Sequence, residues 1–130
     1  MTEFLASPDV ESVVRSYLQT SLGATPKVVT NVPRTRPSSF VRIIAAGGRG
    51  RRSLVLSDHN MIFEAWAASE TAAATLAYRL EAYMLGANQV ASSGIYHTSS
   101  FGSPVNLPDP DSGQHRYTFT LQVTTRSSAL

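Results

Sequence analysis

The side chains best suited to acid–base or metal chemistry in this chain are three histidines, His59, His97 and His115. Zinc sites gather their ligands at short, recurring spacings. These three are dispersed, so each is expected to be a satisfied or solvent-facing imidazole. Serines are plentiful, but no Gly-x-Ser-x-Gly elbow occurs. A triad assembled from distant segments stays open on sequence grounds. Asp109 and Asp111 flank Pro110. A calcium cage takes about 6–8 oxygens, and the neighbouring residues offer few, so a polar loop is the expectation. There is no cysteine, hence neither a disulfide framework nor a thiolate metal site. That composition fits folding in a reducing cytoplasm. No catalytic residue, metal or cofactor is expected.

The run Gly47-Gly48-Arg49-Gly50-Arg51-Arg52 is the local feature that most asks for a partner. It lacks the spacing of a dinucleotide fingerprint and joins two expected strands instead of a strand and a helix. It is no phosphate loop either, because no Gly-Lys-Ser/Thr follows and Lys27 is the only lysine. Three readings stay open: a solvated hairpin tip, an arginine fork onto a protein neighbour's carboxylates, and a DNA-phosphate contact. A nucleic-acid surface would be expected to interleave aromatics, and this run has none.

Charge is segregated along the chain. Between Ser12 and Ser57 there is no acid, while Arg15, Lys27, Arg34, Arg36, Arg42, Arg49, Arg51 and Arg52 all fall there. The flanking segments are net acidic and the whole chain is only +2. Such asymmetry fits nucleic acid or an acidic protein face, unless folding re-mixes it in space.

The elements that must position these groups follow from pattern. Val10, Val13, Val14, Tyr17 and Leu18 form one stripe of a helix from Pro8 to Leu22. Ser7 is its expected cap, Asp9 and Glu11 suit its dipole, and Gly23 suits its end. Lys27–Val32 reads as a strand, broken by Pro33-Arg34-Thr35-Arg36-Pro37. Phe40–Ala46 and Ser53–Leu56 read as a hairpin with the arginine run as its long tip. Ser57-Asp58-His59-Asn60 reads as a turn, and Met61–Ala67, anchored by Trp66, as the next strand. Ser69 can cap a second helix to Leu85, with Ala73, Leu76, Ala77, Leu80 and Met84 buried. A short strand is expected at Ile95–Thr98, then a loop from Phe101 to Gly113 with Pro104, Pro108 and Pro110. Tyr117, Phe119, Leu121 and Val123 alternate with polar residues in a last strand with one wet face. Residues Ser127–Leu130 read as a frayed tail. The sum is one α+β domain over residues 1–130: a mainly antiparallel sheet with two helices packed on it and a long β-hairpin with a basic tip. The start, Met1-Thr2-Glu3-Phe4-Leu5, is acidic and no long apolar run follows, so no signal peptide is expected. Nor does any run approach the ~20 apolar residues of a membrane helix.

The ordered set of features resembles the tail terminator (tail completion, head-to-tail joining) proteins of long-tailed, siphovirus-type bacteriophages, especially those of actinobacterial hosts. The resemblance runs over nearly the whole chain. It rests on the amphipathic first helix and on Val32-Pro33-x-x-Arg36-Pro37-x-x-Phe40-Val41-Arg42-Ile43 leading into Gly47-Gly48. Glu64-Ala65-Trp66-Ala67, Ala72-Ala73 to Leu80, Pro108-Asp109-Pro110 and Arg116-Tyr117-x-Phe119-x-Leu121 complete it. It implies a structural virion protein of the tail and neck, present in the host cytoplasm during assembly, that catalyses no reaction. Such proteins form a homo-oligomeric ring, a hexamer, that caps the tail tube protein and presents a docking face to the head-completion or connector protein. Genomic DNA passes through the lumen, and no membrane is involved. On this footing Arg49, Arg51 and Arg52 are placed at a ring, tube or lumen contact, and Arg34 and Arg36 at a subunit boundary. The loop residues Phe101, Pro104, Pro108, Asp109 and Asp111 are placed at a ring or head-side contact. The rival readings are a head-completion or connector-adaptor neck protein and, from another class, a small nucleic-acid-binding module.

Overall fold

A computed structural model describes residues 3–130. In chain order the elements are β1 (Leu5–Ala6), α1 (Val10–Leu22), β2 (Lys27–Val29), β3 (Phe40–Ala45), β4 (Gly50–Arg51), β5 (Leu56–Ala67), α2 (Glu70–Leu85), β6 (Ile95–Ser100), β7 (Val105–Asn106), β8 (His115–Arg126) and β9 (Ser128–Ala129). Two short 3-10 turns, Ala87–Gln89 and Ala91–Ser93, lie between α2 and β6. The fold is α+β. A mixed sheet of seven strands runs β2-β3-β5-β8-β6, with β4 on β5 and β7 on β8, and β1 and β9 make a separate two-stranded sheet. No helix among the described residues is long and apolar enough to cross a membrane.

Both helices lie on one sheet face because both carry a single apolar stripe. Val10, Val14, Leu18 and Leu22 of α1, and Ala73, Leu76, Ala77, Leu80 and Met84 of α2, are buried against Val41, Ile43, Met61, Phe63, Ala65, Phe119, Leu121 and Val123. Phe63 and Phe119, cross-strand partners on β5 and β8, stack at 4.9 Å. Each such side chain contributes roughly 1.5–3 kcal/mol by leaving water. Tyr17 joins the two helices by donating its hydroxyl to Tyr83 O at 2.6 Å. Small alanines on α2 let it approach the sheet closely, and Ser69 caps it by accepting from Ala72 N.

Three sequence expectations need correcting. Asp9, not Ser7, caps α1: its carboxylate accepts from Glu11 N and, at 3.0 Å, from Ser12 Oγ. Ser57–Asn60 is not a turn but the start of β5, where Ser57 and Asp58 are buried. The turn lies instead over Arg52–Val55, where Arg52 N and Ser53 N both donate to Leu56 O. The Ser53 hydroxyl accepts from Val55 N and Leu56 N, so it closes a turn that the residue types alone place five residues later. Finally, Ser127–Leu130 is not a free tail, since Ser128 and Ala129 pair with Ala6 and Leu5.

The other sheet face carries no helix. By the alternation of β-strands, Phe40, Arg42 and Ile44 share it with Asp58, Ile62, Glu64 and Trp66, and with Arg116, Thr118, Thr120, Gln122 and Thr124. Its wet residues are half-buried for the most part, and Thr124 is fully buried.

Candidate functional site

The glycine–arginine run does not stand free of the sheet as a hairpin tip. Ala46 N donates to Asn60 O and Asn60 N to Gly47 O, and β4 then pairs Gly50 with Asp58 and Arg51 with Ser57. The run therefore lies flat along β5. Gly48 makes the close approach, with φ +125° and backbone atoms of Asp58, His59 and Asn60 where a Cβ would stand.

The three arginines of the run then diverge. Arg52 turns inward: Nη2 reaches Asp58 Oδ1 at 2.8 Å and Nε reaches Oδ2 at 3.3 Å, a two-pronged fork. Thr124 Oγ1 donates to the same Asp58 Oδ1 at 2.7 Å. Asp58 is only 4% exposed, and the Arg52 bond holds its carboxyl below the usual carboxylate value despite that burial. Arg51 stays exposed and donates only to the Leu5 carbonyl. Arg49 is exposed and makes no ion pair among the described residues. Arg52 thus braces the fold while half of its side chain stays exposed, and Arg49 and Arg51 carry no such brace.

The depressed Asp58 pKa sets a pH dependence. A carboxylate lowered by folding stabilises above its unfolded value, about 3.9, and that stabilisation is lost as pH falls through the folded value. The gap in urea midpoint between wild type and Asp58→Asn is expected to be full at pH 7 and to shrink below about pH 4. A gap constant from pH 7 to pH 2 would contradict the assignment.

Arg34 and Arg36, held by Pro33 and Pro37, part company as well. Arg34 is exposed. Arg36 lies over the Trp66 ring at 5.5 Å and pairs with Asp109 at 3.5 Å. That end of the helix-free face holds a cluster the sequence did not reveal. Phe40 stacks on Trp66 at 5.0 Å. Arg116 also lies over the indole, at 5.1 Å. Trp66 Nε1 donates to Glu64 Oε1, and Glu64 meets Arg42 at 3.5 Å and Arg116 at 3.7 Å. Glu64, Trp66, Arg42 and Arg116 look unrelated in sequence. Only the register that sets Arg42 opposite Glu64 and Trp66 opposite Arg116 joins them. The signal available was alternation: Phe40, Arg42, Glu64 and Trp66 fall on the parity opposite to the core residues of their strands.

The Phe101–Gly113 segment is a hairpin arm rather than a loop. Val105 and Asn106 pair with Thr118 and Tyr117, and Leu107 N and Asp109 N donate onward to Arg116 O and Gln114 O. Pro104, Pro108 and Pro110 sit at the alternate positions, whose backbone nitrogens point away from β8. An edge strand tolerates proline there. Pro104 is buried, and Asp109 is committed within the subunit. Its carboxylate accepts from the Ser112 hydroxyl and backbone N–H and faces Arg36, and the Ser112 hydroxyl leads in holding its pKa low. Phe101, Val105, Leu107, Pro108 and Asp111 remain exposed, and Phe101, Val105 and Leu107 line one groove with Thr118 and Thr120.

A second exposed apolar surface went unseen in the sequence. The β1–β9 pairing brings Phe4 beside Leu130, whose N–H donates to Phe4 O, and Ser127 N donates to Val55 O. Phe4, Leu54, Val55 and Leu130 are all exposed. This surface lies beyond the Arg126 end of β8, while the groove borders Thr118 and Thr120; at about 3.4 Å per residue they are roughly 20–27 Å apart.

Folding also re-mixes the segregated charge. Glu11 accepts from Ala45 N, Asp58 takes Arg52, Glu64 takes Arg42, and Asp109 takes Arg36. His59 Nε2 faces two hydroxyls, Ser7 Oγ at 3.5 Å and Thr125 Oγ1 at 3.2 Å, and burial pushes its pKa below the ordinary histidine value. Asp58 lies on the opposite side of β5, so it cannot orient that ring. His97 is exposed and His115 half-buried. No three of the described His, Asp and Glu side chains gather as metal ligands would. Searches with protein-family models and against curated proteins found nothing that matches this chain.

Proposed function

We propose that this chain is a structural ring subunit of the tail-terminator type, which caps a phage tail tube and offers a surface for joining to the head, with DNA passing through the lumen. The observation that carries this reading is the pair of unlike exposed apolar surfaces, one alongside the middle of β8 and one beyond its Arg126 end. A ring subunit must present two different surfaces that fit each other, whereas a two-fold dimer needs only one. Exposed apolar groups scattered singly carry no such meaning, but groups gathered on one surface do. The ordered sequence features that resemble tail terminators supply the class of ring. Within this reading the sheet is a mainly antiparallel scaffold, the β4–β5 hairpin is a basic rim whose working residues are Arg49 and Arg51, and Arg34 lies at a subunit boundary.

The test is the solution mass of the purified chain, alone and with polymerised tail tube, at low and high salt. The expected result is a six-fold ring, formed free or on tube ends. Arg49→Glu with Arg51→Glu is expected to stay folded and to weaken ring assembly or tube joining at least tenfold. Arg52 is left intact because reversing it would set a carboxylate against buried Asp58. A strict monomer that ignores tubes and binds DNA, with affinity falling by about 0.9 log unit per phosphate contact for each tenfold rise in salt, would favour the nucleic-acid module instead. A ring that binds connectors and not tubes would favour a neck adaptor.

A further inference from the structure

We infer that the groove of Phe101, Val105 and Leu107 on one copy receives the Leu54–Val55 turn and paired termini of the next copy, head to tail. This rests on the ring reading and names its two mating surfaces.

Three observations lead there. The first is mode of contact. The outer edge of the hairpin arm has prolines at 104, 108 and 110, so it cannot offer the row of N–H donors that adding a strand requires. What it offers outward is side chains: Phe101, Val105 and Leu107, all more than half exposed. A partner for such a groove must bring apolar side chains rather than a backbone edge.

The second is the matching surface. Leu54 and Val55 stand on a turn fixed by the Ser53 hydroxyl, and Phe4 and Leu130 sit on strands that hold each other. The turn carries exposed apolar side chains on a tight loop and the hairpin side carries them along a groove, so the two differ in build as well as place.

The third is charge. At the hairpin end the exposed Asp111 and Arg34 make no ion pair; at the turn end the same holds for Arg49, Arg51, Arg126 and Glu3, among the described residues. The turn end is thus predominantly basic, and Asp111 is the acid that the hairpin end offers it. The remaining charges nearby are committed: Asp109 to Arg36, Asp58 to Arg52, Asp9 to the first turn of α1, and Glu11 to Ala45 N.

The chain has no cysteine, which allows a clean test. Val105→Cys and Leu54→Cys are made singly at sites 57% and 74% exposed, and circular dichroism checks that each folds as wild type. Each is treated with a short bis-maleimide linker, alone and mixed one to one, and the mass of untreated wild type is measured in parallel. The expected result is a cross-linked dimer in the mixture at least tenfold above either variant alone, and a ladder up to a closed ring when both cysteines are in one chain. Strong cross-linking of Val105→Cys to itself would mean a two-fold groove contact and overturn the proposal. A wild-type ring with no cross-link in the mixture would overturn these surfaces and leave the ring reading standing. A wild type that is monomeric alone and with tail tube would overturn both.

Discussion

Trp66→Ala is expected to cost about 4 kcal/mol of folding stability, the scale of a buried aromatic truncated to alanine. The indole is 1% exposed. Its removal leaves Phe40 without its stacking partner and strips Arg36 and Arg116 of the ring they lie over. Glu64 also loses a donor while it remains buried between two guanidinium groups. A fall of roughly 2 M in the urea midpoint is the expected readout, at a slope of about 2 kcal/mol/M. Trp66→Phe keeps an aromatic face against Phe40 and loses the bond to Glu64, so a loss nearer ~1–2 kcal/mol is expected. Equal losses for the two variants would show that the stack contributes little and that the Glu64 bond dominates.

The second large effect belongs to a residue with no side chain. Gly48→Ala would place Cβ 2.7 Å from Asn60 N, 2.8 Å from Asp58 O and 2.9 Å from His59 Cα. All three are backbone atoms of the central strand, which cannot yield as a flexible side chain would. The φ of +125° adds strain of its own, since this region is essentially glycine's. A loss of about 3 kcal/mol is expected from clash and strain together. Gly47, at φ +77° with open space around it, isolates the conformational part, and its alanine variant is expected to lose only ~1–2 kcal/mol. Gly102→Ala, with neither clash nor positive φ, serves as the unperturbed control. The ranking of thermal midpoints across the three variants checks the account; similar midpoints for the first two would remove the clash from it.

These two residues also mark where the sequence was and was not readable. Both helices, the long last strand and the class of fold follow from periodicity, because an apolar stripe at 3.6 or 2 residues is a local property. The β4–β5 turn was placed five residues late because Ser57-Asp58-His59-Asn60 has the composition of a turn. Asp58 instead earns its buried strand position from Arg52 and Thr124, one of them across the sheet. The Phe101–Gly113 arm was read as a loop because three prolines argue against a strand. Their parity on an edge strand removes that objection, and parity relative to a partner is not visible until the partner is known. The same limit hid the Glu64 cluster and the apolar surface at the termini: each is made by register between segments far apart in the chain. Of the basic residues singled out, Arg34, Arg49 and Arg51 face outward. Arg36 and Arg52 are drawn in by carboxylates that composition could not assign to them.

The pairing of β1 with β9 has a practical consequence for anyone handling the protein. Leu130 and Phe4 are hydrogen-bonded neighbours, so a fluorophore placed at position 4 or at position 130 sits at the same spot, on that apolar surface. Two reporters at these positions would give one location twice. The exposed turn at Gly23-Ala24-Thr25, between α1 and β2, leaves both apolar surfaces uncovered and is the better place for a label.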